Sequence, residues 1–244
     1  MHNNIKLLIS PKNITEAKIC VDAGADYVDC KNPDEGSLGA NFPWIIKEMK
    51  KIIPRNNGQK LSATIGDFPN LPGSASLAAL GAVCSGADII KVGLKGPKTE
   101  EEGRFLMEKV VKATKTYNQN VRVVTAGYAD FSRMDNGLHF LKIPLIAAKS
   151  GADIAMLDTF IKDGKNIFDF LNIDDLHKFK NLAQKYNLEV ALAGKLQIGD
   201  MNKIKKIHPD IIGVRSAVCE GFDRNRGMIK YDLITKLKKE LIAP

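Results

Sequence analysis

An α/β fold, a single (β/α)8 TIM barrel spanning residues 1–244, is predicted by three features of the sequence. Short apolar strand candidates alternate eight times with helical segments. Gly24-Ala25-Asp26, Gly86-Ala87-Asp88 and Gly151-Ala152-Asp153 each precede a strand, and Pro209-Asp210 does so without the Gly-Ala. The spacing of these connectors, about 60 residues, equals two βα units. No linker or composition shift divides the chain. The repeated tripeptide is a helix-to-strand connector at the bottom of such a barrel; it supports the fold and carries no chemistry.

The elements follow in order. Residues 5–10 are apolar and stop at Pro11, which suits a buried strand. Asn13 can cap a helix that runs to Gly24. Residues 27–30 form the second strand. Residues 32–41, with Gly36 and Gly39, form a loop, and a helix starts at Pro43 beside the lone tryptophan, Trp44. The third strand is 61–65, and the small-residue helix 74–85 packs closely on the sheet. The fourth strand is 88–92, with Lys91 near its end. Helix 99–116 opens on Glu100-Glu101-Glu102, as the helix dipole favours. Strand 121–126 and helix 141–150 come next, the helix carrying Pro144 as an interruption. Strand 153–157 ends at Asp158. Helix 173–186, strand 189–193, a short helix 200–207 and strand 211–214 lead to a long polar loop, 215–227. A final helix covers 231–241.

The 244 residues are 44% hydrophobic and 26% charged, with 36 basic against 28 acidic side chains and a net charge of +8. Such a surface is either a lysine-rich solvated face or an attractor of anions. The basic residues are scattered and not interleaved with aromatics, so nucleic acid is not expected as a partner. Four cysteines and four histidines show neither CxxC nor HExxH spacing, so neither metal nor cofactor is expected. The thiols read as reduced and structural, hence a cytoplasmic protein. The N-terminus has no apolar signal core, and no apolar run approaches the roughly 18 residues that span a bilayer, so no membrane partner is expected. A homo-oligomer is compatible with the composition.

In barrels of this class the active site lies at the C-terminal ends of the strands. Side chains alternate along a strand, so Asp29 and Lys31 share a face while Cys30 points the other way. The even strands then deliver Asp29 and Lys31, Lys91, Asp158 with Lys162, and Arg215 to one mouth. For Lys31 and Lys91 the competing assignment is a structural ion pair with Asp29 or Asp158; for Lys162 it is a solvated surface lysine. Two lysines and two carboxylates without histidine suggest amine chemistry, in which a neutral lysine attacks a carbonyl. At the ordinary lysine pKa of about 10.4 only about one amine in 2,500 is neutral at pH 7, so a dry pocket or a cationic neighbour is required. Gly194 and Lys195 after the seventh strand, with Gly213, Arg215 and Ser216 at the eighth, suit a phosphate through backbone N–H groups and a cation, although each glycine also reads as a simple turn. Asp67 and Asp130 face the same end without an assigned role.

The segments Asp29-Cys30-Lys31-Asn32-Pro33, Glu35-Gly36-Ser37-Leu38-Gly39-Ala40-Asn41-Phe42-Pro43-Trp44, Ile90-Lys91-Val92-Gly93-Leu94, Ala126-Gly127-Tyr128-Ala129-Asp130 and Met156-Leu157-Asp158-Thr159-Phe160-Ile161-Lys162-Asp163-Gly164-Lys165 resemble the (5-formylfuran-3-yl)methyl phosphate synthase family. The resemblance continues through Ala191-Leu192-Ala193-Gly194 and Asp223-Arg224-Asn225, so it covers nearly the whole chain. It implies a barrel lyase that condenses two glyceraldehyde 3-phosphates, loses phosphate and water, and makes a furan for methanofuran biosynthesis. By that resemblance Lys31 forms the Schiff base, Lys91 is the principal proton acceptor, and Asp29, Asp158 and Lys162 complete the cluster. Cys30, where an apolar residue is common, and Lys195, in place of a small residue, depart from the pattern. The alternatives are a class I Schiff-base aldolase acting on a phosphorylated sugar and, in a different class, a basic scaffold that binds nucleic acid.

Overall fold

The computed structural model describes residues 4–54 and 56–242. Along it run β1 (Lys6–Ile9), α1 (Ile14–Asp22), β2 (Tyr27–Cys30), α2 (Pro43–Ile52), β3 (Lys60–Asp67), α3 (Pro72–Cys84), β4 (Ile89–Gly93) and α4 (Glu100–Tyr117). These are followed by β5 (Arg122–Tyr128), α5 (Lys142–Ser150), β6 (Ile154–Asp158), α6 (Ile173–Lys185), β7 (Glu189–Leu192), α7 (Met201–Ile207), β8 (Ile211–Val214) and α8 (Tyr231–Ile242). All eight strands pair in parallel with their neighbours in sequence, and β8 closes on β1. This is the (β/α)8 barrel that the alternation predicts.

The strand alternation divides the core in two. Leu7, Ile9, Val28, Cys30, Ile90 and Val92 face outward and pack against the helices. Leu8, Tyr27, Ile89, Ile154, Met156 and Ile211 face inward and fill the lower barrel. The apolar interior therefore plugs the bottom and leaves the top for polar residues. Cys30 is fully buried on the outer side, where burial pushes its thiol up to about 12 and keeps it protonated.

The repeated aspartates have a structural job. Asp26, Asp88, Asp153 and Asp210 each receive through Oδ2 the first free N–H of the preceding odd strand, from Leu7, Leu61, Val123 and Val190, at 2.7–2.8 Å. Their backbone N–H groups donate to those same four residues' carbonyls, and their carbonyls accept from Lys60, Arg122, Glu189 and Lys6 on the next odd strand. One residue type thus staples the barrel floor four times. Asp26→Ala leaves the Leu7 N–H buried without a partner and should cost about 1–3 kcal/mol. Urea denaturation should register that loss.

Three boundaries differ from expectation. The third strand is longer, and a register shift between Thr64 and Asp67 carries it up to Asp67. Pro144 sits in the first turn of α5, where it costs no internal hydrogen bond, so the helix is uninterrupted. The segment after β8 is not a uniformly polar loop. It holds two 3-10 turns, and Ser216, Ala217, Val218 and Cys219 are buried under α8.

Candidate active site

The loop after β2 shapes one wall of the site. Asn32 N–H donates to Gly39 O at 3.0 Å, and Thr64 Oγ1 donates to the same carbonyl at 2.6 Å. A Cβ at Gly39 would lie 2.1 Å from Asn32 O, so only glycine permits this fold-back. The loop delivers Ser37, whose hydroxyl donates to Thr159 O at 2.9 Å and ties the β2 and β6 ends together.

Asp29 and Lys31 lie inward, as the alternation requires. Lys91 Nζ is 2.9 Å from Asp29 Oδ1, and both side chains are almost wholly buried. The pair is close but out of line for a hydrogen bond, and Oδ1 has no other partner among the described residues. Oδ2 accepts from Ser10 Oγ at 2.9 Å. Burial alone would push the Asp29 carboxyl up; the Lys91 and Lys31 ammoniums outweigh it and hold the group below its ordinary range.

A second pair stands opposite. Lys162 Nζ donates to Asp158 Oδ1 at 2.8 Å and to Thr159 O at 2.5 Å. Thr159 N–H donates to the same carboxylate at 2.7 Å. Burial again works against ionisation of Asp158, yet Lys162 and Lys31 bring the carboxyl down to about 2. Lys162 is therefore bound to the site and is not simply a solvated surface lysine.

Lys31 stands between the two pairs. Its ammonium makes no hydrogen bond or ion pair of its own among the described residues, and the residue is only 8% exposed. Burial is the largest influence and lowers the pKa; Asp158 and Asp29 raise it, and Lys162 and Lys91 oppose them, leaving it at about 8. The charges explain that result. Asp29 with Lys91 and Asp158 with Lys162 are two balanced pairs, so the surrounding field largely cancels and desolvation decides.

These groups line a cleft of about 430 Å³ at the top of the barrel, together with Ser10, Gly194, Lys195, Gly213, Arg215, Ser216 and Arg224. All five predicted catalytic residues and all five predicted phosphate residues meet there. Arg215 is committed elsewhere. Its Nη1 donates to Glu16 Oε2 at 2.9 Å and to Ser10 O at 2.7 Å, and its Nε donates to Arg224 O at 3.0 Å. It braces β1, α1 and the loop after β8, which leaves little of the guanidinium for an anion. Lys195 Nζ donates to Gly164 O on the loop after β6.

Several neighbouring groups have no role assigned from sequence. Ser10 lies two residues beyond inward-facing Leu8, so the strand period points to it, although β1 is an odd strand. Glu16 looks like an ordinary first-turn helix acid. Tyr128, buried at the end of β5, donates to Asp67, and its burial together with that carboxylate keeps the phenol neutral. Asp130 accepts from the Phe160 and Ile161 N–H groups and shapes the loop that carries Lys162. Among the described residues no three His, Cys, Asp or Glu side chains are grouped to hold a metal, and no helix is long and apolar enough to cross a membrane.

Residues 7–238 match the family model of 4-HFC-P synthase. The chain belongs to the 4-HFC-P synthase family. Among curated relatives, the (5-formylfuran-3-yl)methyl phosphate synthase of Methanococcus aeolicus is 52% identical over 96% of this chain and 98% of its own. That of Methanosarcina barkeri is 50% identical over 98% of this chain and 100% of its own. Among solved structures, the 3-hexulose-6-phosphate synthase of Salmonella typhimurium superposes with a TM-score of 0.67 at 15% identity, covering 98% of this chain and 99% of that one. At that identity the likeness is one of fold. This member of the family thus places two ion pairs and, among the described residues, an unpaired lysine at the C-terminal ends of its strands.

Proposed function

We propose that this barrel condenses two molecules of glyceraldehyde 3-phosphate through an imine on Lys31, with loss of phosphate and water. The product would be (5-formylfuran-3-yl)methyl phosphate, a furan destined for methanofuran. The observation that carries the proposal is the Lys31 amine, buried and unpaired between two closed ion pairs.

The neutral Lys31 amine adds to the C1 aldehyde of one triose, and the carbinolamine loses water to become the imine. Lys91, oriented by Asp29, takes the proton from C2 once it has itself given one up to solvent, and the ammonium that re-forms is stabilised by the same carboxylate. Lys162, held by Asp158, supplies a proton to a departing oxygen. The retained phosphate fits the backbone at Gly194, Gly213 and Ser216, with Lys195 beside it. Arg215 supports this end by position.

The test is incubation with glyceraldehyde 3-phosphate alone. The expected result is a furan aldehyde chromophore growing with released inorganic phosphate. Aldol product without phosphate release would replace this reading by that of a Schiff-base aldolase. Salt-sensitive binding of a polynucleotide without turnover would replace it by that of a scaffold.

A further inference from the structure

A second cleft of about 720 Å³ opens beside the barrel mouth, between the loops after β6 and β8. Lys162, Lys195, Ser216 and Arg224 line both clefts, so the two spaces adjoin. The side chamber adds Lys165 and a single carboxylate, Asp223. That carboxylate already accepts from the Asn225 and Arg226 N–H groups at 2.8 and 3.2 Å, which ties it into its own turn. Four cations therefore face one occupied anion.

Two of the cations are underused. The half-buried Arg224 guanidinium has no hydrogen bond or ion pair among the described residues; only its backbone carbonyl is engaged, by Arg215. Among the described residues Lys165 Nζ has only the Phe170 ring, 5.9 Å away. Backbone strain collects here as well. Four non-glycine residues among those described have positive φ; Asn187 and His208 follow the ends of α6 and α7, where that conformation is common. The other two, Lys195 at 52° and Phe222 at 56°, both line the chamber. Such strain at non-glycine positions persists where a site requires the geometry.

We infer that the side chamber is a second anion site, formed by Arg224 and Lys165 with Lys195, which receives the phosphate group expelled during the reaction. The binding of an anion stands on the chamber alone; the identity of that anion rests on the proposed function. Two phosphorylated trioses enter and the product keeps one phosphate, so the other needs a place that permits departure. In the eliminated triose the C2–H bond gives its proton to the base, its electron pair becomes the C2–C3 double bond, and the C3–O electron pair leaves with the phosphate. Lys162, on the boundary of both clefts, protonates that oxygen as it crosses. The chamber is open and basic, which suits a leaving dianion, and the retained phosphate sits on the backbone at β7 and β8.

Inorganic phosphate is the probe. Equilibrium titration of the wild-type chain should fill two sites, and Lys165→Gln/Arg224→Gln should fill one. Under turnover, the inhibition constant for inorganic phosphate should rise at least tenfold in the double variant. Lys165→Gln alone keeps the loop after β8 intact and should produce a smaller rise in the same direction. A single phosphate site in the wild type, or an unchanged second site in the variants, overturns the inference. Failure of the wild type to make a furan aldehyde overturns the proposed function instead, and the titration still decides whether the chamber binds an anion.

Discussion

Lys31→Arg should lower furan formation by about four orders of magnitude or more, with folding intact, because a guanidinium cannot form the imine. Borohydride added during turnover should trap a substrate adduct on the wild-type chain at Lys31 and none on the variant. Trapping on Lys91 or Lys162 in the wild type would reassign the nucleophile. The pH dependence follows from the amine. With a pKa of about 8, roughly a tenth of Lys31 is neutral at pH 7, half at pH 8 and nine-tenths at pH 9. The rate of adduct formation should therefore rise about tenfold from pH 7 to pH 9 and then level. An unperturbed lysine would instead gain about a hundredfold over that range and keep climbing. The two profiles are easily separated by single-turnover trapping.

Lys91→Met should damage both catalysis and stability. Without its ammonium, Asp29 is a buried carboxylate that faces, among the described residues, Ser10 and Lys31. Breaking such a pair from one side costs about 3–5 kcal/mol. The site relieves part of that by protonating Lys31, since one opposing cation is gone and the carboxylate that favours charge remains. Turnover therefore loses its proton acceptor and its neutral nucleophile together, a fall of at least about 10³-fold. Asp29→Leu/Lys91→Met, which removes both charges, should regain most of the stability in urea denaturation while remaining inactive. Recovery of stability without recovery of turnover separates the two roles; an equally unstable double variant would show that the pair matters by shape rather than by charge.

Sequence and structure contribute different parts of this description. The eight-fold alternation, the Gly-Ala-Asp floor and the inward direction of Asp29, Lys31, Lys91 and Asp158 were legible because they depend on local periodicity. A strand's alternation decides which side chains face the interior, and its end decides which of them reach the mouth. The long matching segments carried the family for the same reason, being contiguous runs of residues.

Pairing was not legible. Asp29 could have taken Lys31 or Lys91, and nothing in the spacing says that Lys91 closes on it while Lys162 closes on Asp158. Arg215 has the look of a phosphate ligand at a strand end, but a buried glutamate on α1 holds it. Arg224, one of many surface-type cations in the sequence, becomes distinct only when the loop after β8 folds against the mouth. By itself the sequence determined a closed barrel with a ring of amines and carboxylates at its catalytic end. Tertiary structure decided which amine stays unpaired, because a lysine's charge state depends on burial and on partners brought close only by closing the barrel.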